Sequence, residues 1–211
     1  MGDLKGFILA GHSFGGYICG HYACKYPQYI KKLLMLSPAG VNKKPDDFDF
    51  SKMKFKKGQG PPKWVRSLAT TVWDKQWSPF GLMRKSGKLI GKSLIKNYLN
   101  KRMGNLPKEE FNDLHDYFHQ IFMRDGSTEY AIFICFEVGM FAKNPLETLD
   151  RLGNPALPIP VSFFYGDSDW MDVNAGRRVV NNNKFKGSYS HVYMVTNSDH
   201  HMYFDNPEEF A

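Results

Sequence analysis

The sequence predicts an α/β fold: a mostly parallel sheet with a helical module inserted into it. Three observations point that way. Apolar runs of strand length occur at residues 6–10, 32–37, 160–165 and 190–196, and the first three are nearly unbroken rather than alternating, as in strands covered by helices on both faces. Helical segments separate some of these runs, as parallel pairing requires. About 120 residues without a strand pattern lie between the second and third runs, far more than one crossover helix needs. The core is therefore assigned to residues 1–41 and 155–211, and the helical insertion to residues 42–154. A chain of 211 residues is long enough to bury a substantial core.

The first run ends in Gly11-His12-Ser13-Phe14-Gly15-Gly16, a glycine-flanked turn that leads into a helical pattern. Gly-x-Ser-x-Gly between a strand and a helix is a nucleophile elbow. The turn is too tight for side chains two residues before and after the serine, hence Gly11 and Gly15, with Gly16 adding clearance. A serine hydroxyl placed there attacks only if a base takes its proton and a carboxylate fixes the tautomer of that base. Ser13 is the candidate nucleophile, and the Phe14 N–H is the expected donor to an oxyanion. His12, next to the serine at a sharp bend, is expected to point away from it and pack.

After the second run the insertion opens on a charged linker, residues 42–60. Pro61-Pro62 then starts a helix in which Trp64, Val65, Leu68, Val72 and Trp73 keep helical spacing. A second stripe, Phe111, Leu114, Tyr117, Phe118, Ile121 and Phe122, follows Pro107. These aromatics read first as packing and, in the alternative, as an apolar lid over a lipid pocket. Between the stripes, residues 84–102 hold seven bases and no acid, equal to the whole net charge of +7. Lys88, Lys92 and Lys96 repeat every four residues beside Leu89, Ile90, Leu94, Ile95, Tyr98 and Leu99. The segment reads either as a solvated helix face or as a contact with an anionic membrane or lipid-droplet surface. No recognition module accompanies the charge, so nucleic acid is not an expected partner. His115 and His119 are an i, i+4 pair without a convergent third ligand, and no metal is expected there.

The third run passes into Gly166-Asp167-Ser168-Asp169-Trp170-Met171-Asp172. Asp169, in a Gly-x-x-Asp arrangement, is the candidate orienting acid, with Asp167 and Asp172 as turn and cap residues. The fourth run passes into Asn197-Ser198-Asp199-His200-His201; His200 is the candidate base, and His201 packs or faces solvent. Asp205 completes His-x-x-x-x-Asp with His200, a spacing also found in acyltransferases that activate a hydroxyl acceptor. The following Asn206-Pro207-Glu208-Glu209 reads as a helix N-cap and acidic first turn, so the alternative is that Asp205 only organises that start. Cys19, Cys24 and Cys135 are odd in number and lack metal-ligand partners, which favours a reducing, intracellular setting.

Serine, acid and histidine in that order, each just past a strand, resemble the α/β-hydrolases. Leu36-Ser37-Pro38-Ala39-Gly40-Val41, Gly139-Met140-Phe141-Ala142, Pro145-Leu146, Tyr165-Gly166, Asp169-Trp170-Met171 and His200-His201 through Asp205 to Pro207-Glu208-Glu209-Phe210 narrow the resemblance. It is to the subfamily of abhydrolase domain-containing proteins four and five, over nearly the whole chain and weakest in the insertion. That resemblance implies serine-dependent hydrolysis of phospholipid or lysophospholipid acyl esters, or acylation of lysophosphatidic acid with acyl-coenzyme A as co-substrate. It implies no metal or prosthetic group, and a cytoplasmic place peripheral to a membrane, lipid droplet or mitochondrion. Some members lack the nucleophile and act as lipase activators, so a non-catalytic lipid-surface scaffold or lipase co-activator is the alternative; Ser13 favours catalysis. A dehalogenase or epoxide hydrolase would need a carboxylate at the elbow. The family's sheet also has about four strands before the elbow, and the loop after its third supplies a second oxyanion donor. The sequence therefore reads as the C-terminal part of a longer protein that carries only the Phe14 donor, a loss worth about 10²–10³ in rate. The edge of its first strand is expected to need a partner.

Overall fold

The computed structural model describes residues 4–50, 63–104, 106–124, 126 and 128–211. Four strands, β1 (Phe7–His12), β2 (Ile30–Leu36), β3 (Val161–Gly166) and β4 (Val192–Val195), pair in parallel in the order β1-β2-β3-β4. The helices are α1 (Phe14–Lys25), α2 (Lys63–Asp74), α3 (Pro79–Lys85), α4 (Lys88–Met103), α5 (Lys108–Phe122), α6 (Ala131–Cys135), α7 (Val173–Asn182), α8 (Met202–Asp205) and α9 (Pro207–Phe210). Each strand falls on one of the apolar runs, and the expected α/β class with a parallel sheet is what the chain forms. The chain divides into two compact units, Met1–Phe48 with Gly139–Ala211, and Asp49–Val138.

In the first unit α1 packs on β1 and β2, and α7 on β3 and β4. Leu33, Met35, Val161 and Phe163 are wholly buried, with Ala23 of α1 and Ala175 and Val179 of α7. Full burial of an aliphatic or aromatic side chain contributes about 1.5–3 kcal/mol, so this layer anchors the strand ends on which functional side chains sit. The central β3 is buried along nearly its whole length, as its unbroken apolar run predicts. β1 departs from that prediction. It alternates, leaving Ile8 and Ala10 exposed, because it is the edge strand of the described sheet. An apolar hollow of about 810 Å³ is lined by residues including Ala10, Leu34, Leu36, Phe164, Tyr193 and Phe210.

The beginning of the predicted linker is tied to this unit: the Lys43 N–H donates to Glu147 Oε1 at 2.5 Å, and Phe48 packs edge-on against Phe141. Leu146 and Glu147 donate their N–H groups to Gly40 O and Val41 O, both at 2.9 Å. The limits of the second unit thus lie inside the 42–154 span. The helix start expected at Pro61-Pro62 lies outside the described residues, as do the side chains of Trp64, Val65 and Lys88.

The second unit is helical. Met83, Ile95 and Leu99 form its buried cluster, with Phe111, Leu114, Phe118 and Phe122 of the α5 stripe packed against it, while Tyr117 and Ile121 are exposed. Trp73 is held by its indole N–H on Phe136 O at 3.3 Å. Arg84, counted among the surplus bases, is engaged: its two Nη atoms fork onto Glu129 at 3.0 and 2.5 Å. On α4, Lys92 and Lys96 are exposed beside Ile90, Leu94 and an 87% exposed Leu89. His115 Nε2 lies 3.2 Å from Lys92 O, and no cluster of three or more metal-ligating side chains occurs among the described residues.

Candidate active site

The elbow is built by sterics. A Cβ on Gly11 would stand 2.7 Å from Gly15 O, and one on Gly16 would stand 2.9 Å from the Pro38 Cβ, so both positions exclude side chains. Gly15 does not fit the clearance argument made from the sequence, since a Cβ there would meet nothing within 4 Å. The tight approach after the serine is at Gly16, because Pro38 comes in from the segment after β2. Between these glycines Ser13 is forced to φ 53°, ψ −121°, outside the regions that residues with a Cβ ordinarily populate. Its N–H donates to Leu36 O at 3.0 Å, and its carbonyl accepts from Tyr17 N–H of α1. Ser13 therefore stands at the N-terminal end of α1, and Phe14 is the first helical residue.

His200 arrives from the loop after β4 and is 5% exposed. Its Nε2 is 2.9 Å from Ser13 Oγ and its Nδ1 is 3.2 Å from Asp169 Oδ1. The tautomer that satisfies both contacts carries the proton on Nδ1, donates to the carboxylate and leaves Nε2 to accept from the serine hydroxyl. Asp169, just past β3, also accepts from the Met171 N–H at 3.2 Å and from the Ser37 hydroxyl. Burial works against its ionisation, but the hydrogen bonds from His200, Ser37 and Met171 prevail and hold its carboxyl below the usual carboxylate range. The neighbouring acids do other work: Asp167 accepts the N–H groups of Asn197 and Ser198, and Asp172 caps α7. Asp205 accepts the Asp199 N–H at 2.9 Å, while Asn206 is the N-cap of α9, with proline in the first turn.

Two hydrogen bonds at the site, made by His12 and Ser37, were missed by sequence reasoning. His12 packs, as expected, but also donates from Nε2 to His200 O at 2.9 Å, and its ring lies 4.7 Å from that of His200. Burial lowers its pKa, with the His200 carbonyl acting in the opposite sense. Ser37 is wholly buried and carries the hydroxyl that reaches Asp169. Its signal was the Leu36-Ser37-Pro38 stretch directly past a strand end, where polar side chains can meet those of neighbouring strands.

A strand-turn-helix serine, a buried histidine and a carboxylate, taken from the C-terminal ends of β1, β4 and β3, constitute the arrangement of one large fold family. The alpha/beta hydrolase fold model matches residues 2–207. The chain belongs to that family. It is 27% identical to a probable 1-acylglycerol-3-phosphate O-acyltransferase of Oryza sativa subsp. japonica, over 99% of this chain and 49% of the rice protein. It is 25% identical to the (lyso)-N-acylphosphatidylethanolamine lipase of Mus musculus, over 96% of this chain and 56% of the mouse protein. The chain spans about half the length of these curated relatives. Among solved structures, a bacterial membrane phospholipase A shares its fold with a TM-score of 0.58 at 19% identity, covering 99% of this chain and 55% of that one. No helix among the described residues is long and apolar enough to cross a membrane.

Proposed function

We propose that this α/β-hydrolase transfers the acyl group of a lipid ester through Ser13. Ser13 Oγ attacks the ester carbonyl carbon as its proton passes to His200 Nε2. Asp169 stabilises the resulting imidazolium and keeps the ring oriented. The Phe14 N–H donates to the oxyanion, the leaving oxygen takes its proton back from His200, and an acyl-Ser13 remains. Water as acceptor makes the reaction a lipase. A lysophospholipid hydroxyl as acceptor, with acyl-coenzyme A as acyl donor, makes it an acyltransferase. The thioester C–S bond is then the one broken, and the coenzyme A sulfur leaves with the proton from His200. His200 takes the proton of the lysophospholipid hydroxyl as it attacks acyl-Ser13, while Asp205 holds the loop that presents His200. The observation that carries this reading is the continuous relay of 2.9 and 3.2 Å from Ser13 through His200 to Asp169. The lipid substrate class is supported by the names of the relatives.

The surface of α4 supports docking on an anionic membrane or lipid droplet, since Lys92 and Lys96 stand beside exposed Leu89, Ile90 and Leu94. The same surface is what a non-catalytic lipid scaffold would use, so Ser13 decides between the two readings. A fluorophosphonate probe is expected to label the folded natural full-length protein and to leave Ser13→Ala unlabelled, a fall of about 10⁴-fold or more. Folded wild-type protein that takes no label would overturn the catalytic reading and leave the scaffold.

A further inference from the structure

A buried carboxylate that orients a histidine needs both oxygens held. In Asp169, Oδ1 serves His200 and Met171, whereas Oδ2 accepts from the Ser37 hydroxyl. Ser37 follows β2 directly, and its N–H continues the ladder to Phe164 O at 2.8 Å. Its backbone is left-handed, with φ 39°, in the region that favours glycine. Glycine would make this turn with less strain, and the hydroxyl is what glycine lacks.

The residues on either side of Ser37 grip the other end of the relay. Leu36 O accepts the Ser13 N–H, and the Ala39 N–H donates to Ser13 O, both at 3.0 Å. Residues 36–39 therefore hold the backbone of the serine from two sides and, through one side chain, the carboxylate of the acid.

We infer that Ser37 is a positioning residue: its hydroxyl turns the Asp169 carboxylate toward His200 Nδ1 and ties the acid to the segment that fixes the nucleophile. The assignment rests on the reading of Ser13, His200 and Asp169 as a catalytic relay. It uses no contact between Ser37 and substrate.

Ser37→Gly removes the hydroxyl and relaxes the backbone, so it separates positioning from folding; Ser37→Ala removes the hydroxyl alone. In the natural full-length protein, with p-nitrophenyl butyrate as ester, both variants are expected to lose about tenfold in kcat with KM unchanged, the scale of one charge-assisted hydrogen bond. The glycine variant, relieved of the φ 39° strain, is expected to melt above the alanine variant, which separates the backbone effect from loss of the hydroxyl. In proton NMR, the low-field resonance of the His200 Nδ1 proton is expected to move upfield or broaden in both. Wild-type kcat in both variants, or an unmoved low-field proton, overturns the assignment. A wild-type protein inert toward the ester and the fluorophosphonate overturns the catalytic reading instead, and the proton resonance then decides Ser37 on its own.

Discussion

In the sheet unit, Leu33, Met35, Val161 and Phe163 are wholly buried, and Ser13, His200 and Asp169 stand on the strand ends that this layer fixes. In the helical unit, the buried cluster of Met83, Ile95 and Leu99 lies beneath a surface on which Leu89, Ile90, Leu94, Tyr98, Tyr117 and Ile121 stay exposed. The difference is one of tolerance. A proton relay works only within tenths of an ångström and needs side chains locked by packing, whereas the lipid contact proposed for α4 would need apolar area still available.

Truncations in the two cores are expected to have the largest and most divergent effects. Phe163→Ala is expected to cost about 3–5 kcal/mol in denaturant unfolding and to abolish serine labelling, because it undermines the strand that carries Asp169. Leu99→Ala, at about 2–5 kcal/mol by the same rule, is expected to loosen the helical unit while leaving the rate of Ser13 labelling unchanged. Equal loss of labelling in both variants would break the division of labour.

Acidification sharpens it. His12 and His21 both lie in the sheet unit and have pKa values lowered chiefly by burial. A group with a depressed folded pKa contributes stability above its unfolded value, near 6.5 for histidine, and loses it as pH falls through the folded value. Asp169 and Glu129 follow the same sign at lower pH: Asp169 is held down by its hydrogen bonds despite burial, and Glu129 by Arg84, so their contributions are lost below about pH 4. Hydrogen exchange followed downward from about pH 7 is expected to lose protection around His12 and His21 before it loses protection around Glu129. The reverse order would contradict the histidine assignment.

The smallest effect on stability is expected on α4. Leu89→Ser should shift unfolding by no more than about 0.5 kcal/mol. It should nonetheless weaken binding to phosphatidylserine-containing vesicles, and Lys92→Gln with Lys96→Gln should do so by about 1 kcal/mol for each charge removed. Unchanged vesicle binding would make α4 a solvated face.

The strands were legible because an unbroken apolar run has few other uses. The candidate triad was legible because each of its members lies within about five residues past a strand end, where parallel sheets gather functional side chains. What escaped was decided by partners far away in sequence. Ser37 meets Asp169 across 132 residues, and His12 meets His200 across 188. Arg84 was counted as surface charge, yet its partner Glu129 is 45 residues on. The requirement for Gly16 rather than Gly15 depends on Pro38, and the open face of β1 depends on what covers it, since Phe7-Ile8-Leu9-Ala10 is apolar throughout and carries no mark of which side is wet.

Ser13 and His200 meet across 187 residues of chain, a stretch that includes the residues of the helical unit. The entropy of closing such a loop grows only with the logarithm of its length, about 0.6 kcal/mol for each doubling. The intervening module can therefore be lengthened, trimmed or exchanged with little thermodynamic effect on the relay. Folding rate is another matter, because contacts this distant must wait for the chain ends to find each other. The length of the insertion is thus mainly a kinetic variable, free to diverge in evolution as far as the time a newly made chain can remain unfolded allows.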